Sequence, residues 1–275
     1  MSWDRQITIK TAQEIAIMRE AGKINALALA AAYAIIRPGV STADLNAAAE
    51  EVLKKHGVIS PFKNYPGPYP YPASTCVSIN EELVHGIPST KRKLREGDIV
   101  SMDCGNVYQG FVADSAFTAQ VGEVTPEVRQ LLEVTEAALY VGIAQMKAGN
   151  HVGDIGSAIQ RYVEGHGFQV VREYTGHGVG QRMHEGPQVP NYGVAGRGMV
   201  LRNGMTIALE PMVLIGNPAT RVTADQWTVV SVNGKPTAHF EHTIAVTENG
   251  PTILTLLPDG TSPVRIAGQV QQDPV

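Results

Sequence analysis

Along the first third of the chain, Ile15, Met18, Ile24, Leu27, Ala31 and Ile35 recur at roughly helical spacing. The run opens on Thr11-Ala12-Gln13-Glu14, a capping box in which hydroxyl and carboxylate satisfy each other's free backbone N–H groups. It stops at Arg37-Pro38-Gly39, which predicts a first helix beginning at Thr11. A second helix is expected from Thr42 to Lys55, closed by His56-Gly57. The stretch PFKNYPGPYPYP (61–72) is a proline-rich loop in which no two prolines lie three apart, so a PxxP ligand is not indicated. The segment DIVSMDCGNVYQGFVADSAFTAQVG (98–122) alternates like two strands joined at Val107-Tyr108-Gln109-Gly110. Asp103 and Asp114 are equidistant from the centre of that turn, so the hairpin is expected to set them directly opposite. Thr125-Pro126-Glu127 opens another helix, with proline in its first turn. Further on, MTIALEPMVLI (205–215) and the segment 227–250 read as strands, the latter with Asn233-Gly234 as a hairpin turn.

Residues 37–57 align without gaps on 147–167: Gly39, Asp44, Ala48, His56 and Gly57 recur as Gly149, Asp154, Ala158, His166 and Gly167. Each copy follows a long helix and precedes a β-rich stretch. Two copies are too few for a solenoid. They fit two α+β halves related by a pseudo-twofold axis, at about 11–122 and 123–257 of one domain spanning 1–275, with a loose polar tail at 258–275. His56 and His166 fall at helix ends and are expected to cap them.

Composition narrows the class. Charged residues make up 17% of the 275, below the usual share of about 25%, and hydrophobic residues 43%. The net charge of −4 gives no reason to expect nucleic acid or an anionic membrane as main partner. Cys76 and Cys104 are the only cysteines, which excludes a disulfide framework and suits a reducing cytoplasm. MSWDRQITIK does not read as a signal peptide, and the longest apolar run, ALALAAAYAII, is too short to span a bilayer.

The chemistry lies in acidic residues set among apolar ones. Asp103 and Asp114 sit in core-type strands, and buried like charges must be protonated, paired or metal-bound. Glu210 (IALEPM) and Glu241 (HFEHTIAV) are likewise lone carboxylates in apolar segments. His177 lies between Gly176 and Gly178, with Gly180 beyond; such a run is either an awkward turn or a wall against which a ligand sits. Four carboxylates and one imidazole make an oxygen-rich set suited to two divalent ions. Without a thiolate the set favours Mn, Fe or Co over a structural zinc.

Asp103, Asp114, His177, Glu210 and Glu241, in that order on a duplicated α+β chain, resemble the methionine aminopeptidases of the short bacterial type (type I). The likeness covers about residues 10 to 257, through NEELVHGIPS, SMDCGNVYQGFVADSAFT, YTGHGVGQRMHEGPQVPNY, ALEPM and HFEHTIAV. It implies a pita-bread fold, with the two halves around a central antiparallel sheet, and a dinuclear metal site. It also implies removal of the initiator methionine from nascent chains by a monomer in transient contact with the ribosome. The five residues would hold the metals, with Glu210 moving the proton of the attacking water. His85 and His184 would act on the substrate, His85 at the scissile nitrogen and His184 at the carbonyl oxygen. Tyr71, Cys76, Met183 and Trp227 would wall the methionine pocket. Met183 departs from the family, which commonly has an aromatic there, and the 64–70 loop also differs. An X-Pro aminopeptidase or prolidase would usually carry a large N-terminal domain, for which the helix at Thr11 leaves no room. A silent ribosome- or nucleic-acid-binding relative, or a metal-free creatinase-like enzyme, is disfavoured by the intact ligand set.

Overall fold

The computed structural model describes residues 6–264. Helices α1 (Ala12–Tyr33) and α2 (Thr42–Lys55) lead into strands β1 (Thr75–Ile79), β2 (Glu82–Val84), β3 (Ile99–Tyr108) and β4 (Phe111–Gln120). Helices α3 (Pro126–Ile143) and α4 (Val152–Gly165) precede β5 (Gln169–Val170), β6 (Thr175–Gly178), β7 (Glu185–Pro190), β8 (Thr206–Leu209) and β9 (Met212–Leu214). The chain continues through β10 (Thr220–Val222), β11 (Val229–Ser231), β12 (Thr237–His239), β13 (His242–Thr247) and β14 (Gly250–Ile253).

The repeat is visible in the helices. Thr11 and Ser41 form capping boxes with Glu14 and Asp44, and α4 starts on His151 with Asp154 in the corresponding place. His56 and His166 are the C-caps of α2 and α4. The face that α1 buries is Met18, Ala21, Ile24, Asn25, Ala28, Leu29 and Ala32, whereas Leu27 and Ala31 are only partly covered. Its small residues let the helix lie close on β3 and β4. There Asn25 Nδ2 donates to the Cys104 carbonyl (2.6 Å) and to Ser115 Oγ (2.7 Å).

The hairpin register differs from the sequence expectation. The turn is only Gln109-Gly110, both at positive φ (47° and 82°), so Tyr108 pairs with Phe111. Asp103 then faces Ala116, and Asp114 faces Gly105. The two aspartates are diagonal neighbours on one face rather than direct partners. They remain close enough to share a hydrogen bond.

Asn233-Gly234 is a turn, but not that of a hairpin. Strand β11 pairs with β10 and β2, while β12 pairs with β9. The turn passes the chain from one sheet to another. The 205–215 segment is also broken, at Glu210-Pro211, between β8 and β9. Of the tail expected to be loose, 258–264 contains a turn in which Leu257 N–H donates to the Thr261 carbonyl, and Val264 is buried in the core. Residues 265–275 lie outside the described residues.

Strands β14-β13-β8-β6-β7 form a five-stranded sheet, and β1-β3-β4 a three-stranded one. The two meet where Ala116 and Glu241 exchange backbone hydrogen bonds of 3.2 and 2.9 Å. Thr243 Oγ1 accepts from Asp114 N–H (3.0 Å) and donates to the Asp114 carbonyl (2.8 Å). Thr118 Oγ1 and the His239 backbone exchange bonds of 2.8 Å. The helices cover the outside of this sheet surface, in the pita-bread arrangement of two α+β halves. One core cluster runs through both, from Leu29, Met102 and Phe117 to Leu139, Ile159 and Ile244. Each such side chain contributes about 1.5–3 kcal/mol by leaving water.

Candidate active site

The seam between the halves floors a cleft of roughly 660 Å³, lined by all eleven residues singled out in the sequence. Asp103 and Asp114 enter from the continuous β3–β4 ladder. Glu210 and Glu241 enter from the second half at strand breaks, one residue beyond the His242–Leu209 pair at the end of the β13–β8 ladder. Pro211 cannot donate to a ladder, which ends β8 there. Asn191 Nδ2 then holds the freed Glu210 carbonyl at 3.1 Å.

His177 stands in β6 between partners Gln188 and Ala208. The glycines around it are not a turn: Gly176 and Gly178 lie in the strand itself. A Cβ on Gly178 would sit 2.0 Å from the Gly186 carbonyl oxygen, and one on Gly176 2.6 Å from that of Ala208. They are small because other backbone crosses them, and that crowding seats the imidazole. His177 Nδ1 lies 3.0 Å from its neighbour's carbonyl, at Gly178, and donates to it, so Nε2 keeps its lone pair. That Nε2 is 3.6 Å from Glu210 Oε1 and 3.8 Å from Asp114 Oδ2. Burial pushes the His177 pKa down to about 3, so the ring is neutral.

The acidic floor is unbalanced by itself. Burial raises Asp103 to about 7 and lifts Asp114, Glu210 and Glu241 well above the usual carboxylate range; neighbouring carboxylates add to the effect on Asp114 and Glu241. Asp103 Oδ1 and Asp114 Oδ1 are buried without a hydrogen-bond donor. Donor atoms of Asp114, His177 and Glu241 lie within 4.8 Å of one another. Neutral imidazole and orphaned carboxylate oxygens are a donor set for a hard or borderline divalent cation, and the residues fit one.

The cleft wall is apolar and aromatic. Tyr71 packs edge-on against Trp227 (5.1 Å between ring centroids) and donates its hydroxyl to the Gly86 carbonyl at 2.8 Å. That bond steadies the turn carrying His85, whose φ of 62° is unusual for a residue with a Cβ. Burial lowers the pKa of His85 to about 4 and that of His184 to about 4. His184 is 4.3 Å from His177, centroid to centroid.

Several residues at the site escaped the sequence reading. His239 Nε2 is 3.6 Å from Glu210 Oε2 and 3.9 Å from Glu241 Oε2. Its position two residues before Glu241, hence on the same face, was the signal available. Phe62 and Tyr65 line the cleft from the proline-rich loop, which has no periodicity to read. Next to His184, Glu185 is wholly buried and pairs with Lys10 Nζ at 2.7 Å, while Thr8 Oγ1 donates to the same carboxylate. Gly186 N–H donates to the Gln6 carbonyl (3.0 Å), so the N-terminal segment straps down the loop that carries His184.

Known proteins match this geometry along nearly the whole chain. The model of metallopeptidase family M24 matches residues 16–248. A methionine aminopeptidase 1 of Bacillus subtilis (strain 168) is 51% identical over 249 residues, covering 90% of this chain and 99% of that relative. The crystal structure of a methionine aminopeptidase from Thermotoga maritima superposes with a TM-score of 0.88 at 48% identity, covering 90% of this chain and 99% of that one. A prolidase from Pyrococcus furiosus superposes less well, with a TM-score of 0.72 at 25% identity over 92% of this chain but only 66% of its own. The described site and these likenesses agree: the chain belongs to metallopeptidase family M24 and, within it, to the methionine aminopeptidases.

Proposed function

We propose that this chain removes the N-terminal methionine from nascent proteins and peptides by hydrolysing their first peptide bond. The observation that carries this is the join of two surfaces in one cleft. An acidic floor of Asp103, Asp114, Glu210 and Glu241 with His177 meets an apolar wall of Tyr71, Cys76, Met183 and Trp227. The five floor residues would hold two divalent ions, Co, Mn or Fe by the chemistry of their donors. When bound, such ions lower the pKa of water toward neutrality and polarise a carbonyl.

The protein's own groups do the rest. Glu210, at the edge of the floor, accepts the proton of the attacking water and passes it to the leaving amine. His184 is neutral near pH 7 and donates a hydrogen bond to the developing oxyanion. His85 meets the scissile nitrogen. A free α-amine would be a ligand for such an ion, which would restrict cleavage to a free N-terminus. The wall offers an unbranched thioether apolar contact and no charge. The reading extends to residues 1–275 acting as one catalytic domain, as a monomer in the cytoplasm, with transient ribosome contact. Among the described residues no helix is long and apolar enough to cross a membrane.

Two histidine variants test the roles. His184→Ala is expected to keep its metal content and lose roughly 10²-fold in kcat. His177→Ala is expected to lose metal, measured by elemental analysis after desalting. The reverse pattern would exchange their roles. Faster cleavage of Ala-Pro than of Met-Ala peptides would overturn the substrate assignment in favour of a prolidase-type activity.

A further inference from the structure

We infer that Lys10 and Glu185 are positioning residues, whose buried ion pair clasps the β6–β7 loop and so sets Met183 and His184 in the wall of the cleft. The inference rests on the reading that His184 acts on the substrate. The loop runs from Val179 to His184, and its last two residues line the cleft. The strands at its base do not fix its place, because the β6–β7 register shifts between His177 and Gly178. Its first arm is held by other strands. Val179 N–H donates to the Thr206 carbonyl (3.1 Å), and the Gly180 carbonyl accepts from Val112 N–H (2.7 Å). Its second arm, which carries Met183 and His184, ends on Glu185.

The Glu185 carboxylate gathers three donors from two segments. Oε1 accepts from Arg182 N–H (3.2 Å), which folds the second arm back on itself. Oε2 accepts from Lys10 Nζ (2.7 Å) and from Thr8 Oγ1, and Lys10 Nζ also donates to Thr8 Oγ1. The side chains of Lys10 and Glu185 are only 4% and 1% exposed, so this is an interior pair. No space is left beside it: a Cβ on Gly180 would lie 2.5 Å from Lys10 Cε and 2.7 Å from Glu185 Oε1. Behind the clasp, Lys10 N–H donates to the Gly204 carbonyl (2.8 Å), and Gly204 N–H to that of Val246 (2.9 Å). The pair therefore ties the loop to the sheet whose strands β8 and β13 end next to Glu210 and Glu241. A buried ion pair is weak evidence of stability, since apolar side chains of similar volume often hold a fold as well. What the charges add is direction. A carboxylate among fixed donors has one place to sit, and the residue before it is His184. Burial raises the Glu185 carboxyl, but the hydrogen bonds from Lys10 and Thr8 outweigh it and hold it below the ordinary glutamate range.

A double-mutant cycle on the metal-loaded enzyme tests this with a Met-Ala peptide. Lys10→Met alone strands a buried carboxylate and can unfold the chain. The cycle therefore uses the pair Lys10→Met and Glu185→Leu, which removes both charges, with and without His184→Ala. The pair variant is expected to melt close to the wild type and to lose roughly tenfold in kcat, less than the about 10²-fold that a 1 Å misplacement can cost. Its KM is expected to change less than about threefold, since Tyr71, Cys76 and Trp227 enter the wall from other segments. In the His184→Ala background the same two changes are expected to cost less than about twofold in kcat, because the group they position is gone. Loss of folded enzyme would lower both backgrounds alike. An equal effect in both, wild-type kcat in the folded pair variant, a loss confined to KM, or a pair variant that does not fold would each overturn the inference and leave the reading of His184 intact. Near-normal kcat in His184→Ala would overturn both.

Discussion

The two halves deliver the same chemistry by different means. In the first, Asp103 and Asp114 hang from an unbroken hairpin of two ten-residue strands closed by Gln109-Gly110. In the second, the counterpart strands β8 and β13 have four and six residues, and Glu210 and Glu241 stand just outside them. Aspartate is one methylene shorter than glutamate. A short carboxylate suits a ladder whose pleat already aims it, and a longer one suits a break from which it must reach inward. The second half also carries both His177 and His184, and spends its extra length between β8 and β13 on the Trp227 wall. The matching segments 37–57 and 147–167 account for the like helices of the two halves; the division of labour lies where the halves differ.

If both halves share the cation, replacing one carboxylate from either should do equal and large damage. Asp114→Asn and Glu241→Gln are each expected to lower metal affinity by more than the roughly 10–100-fold that loss of a hydrogen-bonding neighbour costs. Activity should fall with it. Titration calorimetry with Mn or Co measures this, and a loss confined to the hairpin variant would break the symmetry. A smaller effect separates floor from scaffold. Asp103 keeps its proton in the fold up to a pH of about 7, while the unfolded chain releases it near 4. Between those values the folded state binds more protons, so the metal-free protein should lose stability as pH rises. Thermal melts from pH 4 to 8 should show the gap between metal-loaded and metal-free protein widening; a constant gap would place the charges elsewhere. The smallest effect concerns the wall. Met183 touches both the α1-side cluster and the pocket cluster. Met183→Phe should raise the kcat/KM ratio of Met-Ala over ethionine-Ala by roughly tenfold, near the lower end of the about 1–3 kcal/mol that one methylene in an apolar pocket is worth. An unchanged ratio would remove Met183 from specificity.

What was legible beforehand follows the range of the interactions. Thr11 with Glu14, and Ser41 with Asp44, are caps closed within four residues, and both helix starts were readable. The four carboxylates proposed as ligands stood out because charged residues inside apolar runs need a reason wherever the strands go, and His177 stood out by the glycines around it. The register of the hairpin was not, because it turned on two residues adopting positive φ, and glutamine at 109 gives little sign of that. Nor was the fate of Asn233-Gly234: the turn is local, but β11 and β12 take partners from 82–84 and 212–214, remote in sequence. Tyr65 and Lys10 reach the site's loop across more than a hundred residues, through contacts for which no local pattern exists.

The meeting of Ala116 with Glu241 has a consequence for assembly. The bonds that join the hairpin to the start of β13 belong to the Glu241 backbone and to the Thr243 hydroxyl, which grips the Asp114 backbone. Closing that seam and gathering the four carboxylates are one event. An ion captured early by the hairpin aspartates would act as a rivet, lowering the barrier to docking the second half. A second half docked in another register would leave Glu241 away from the hairpin aspartates.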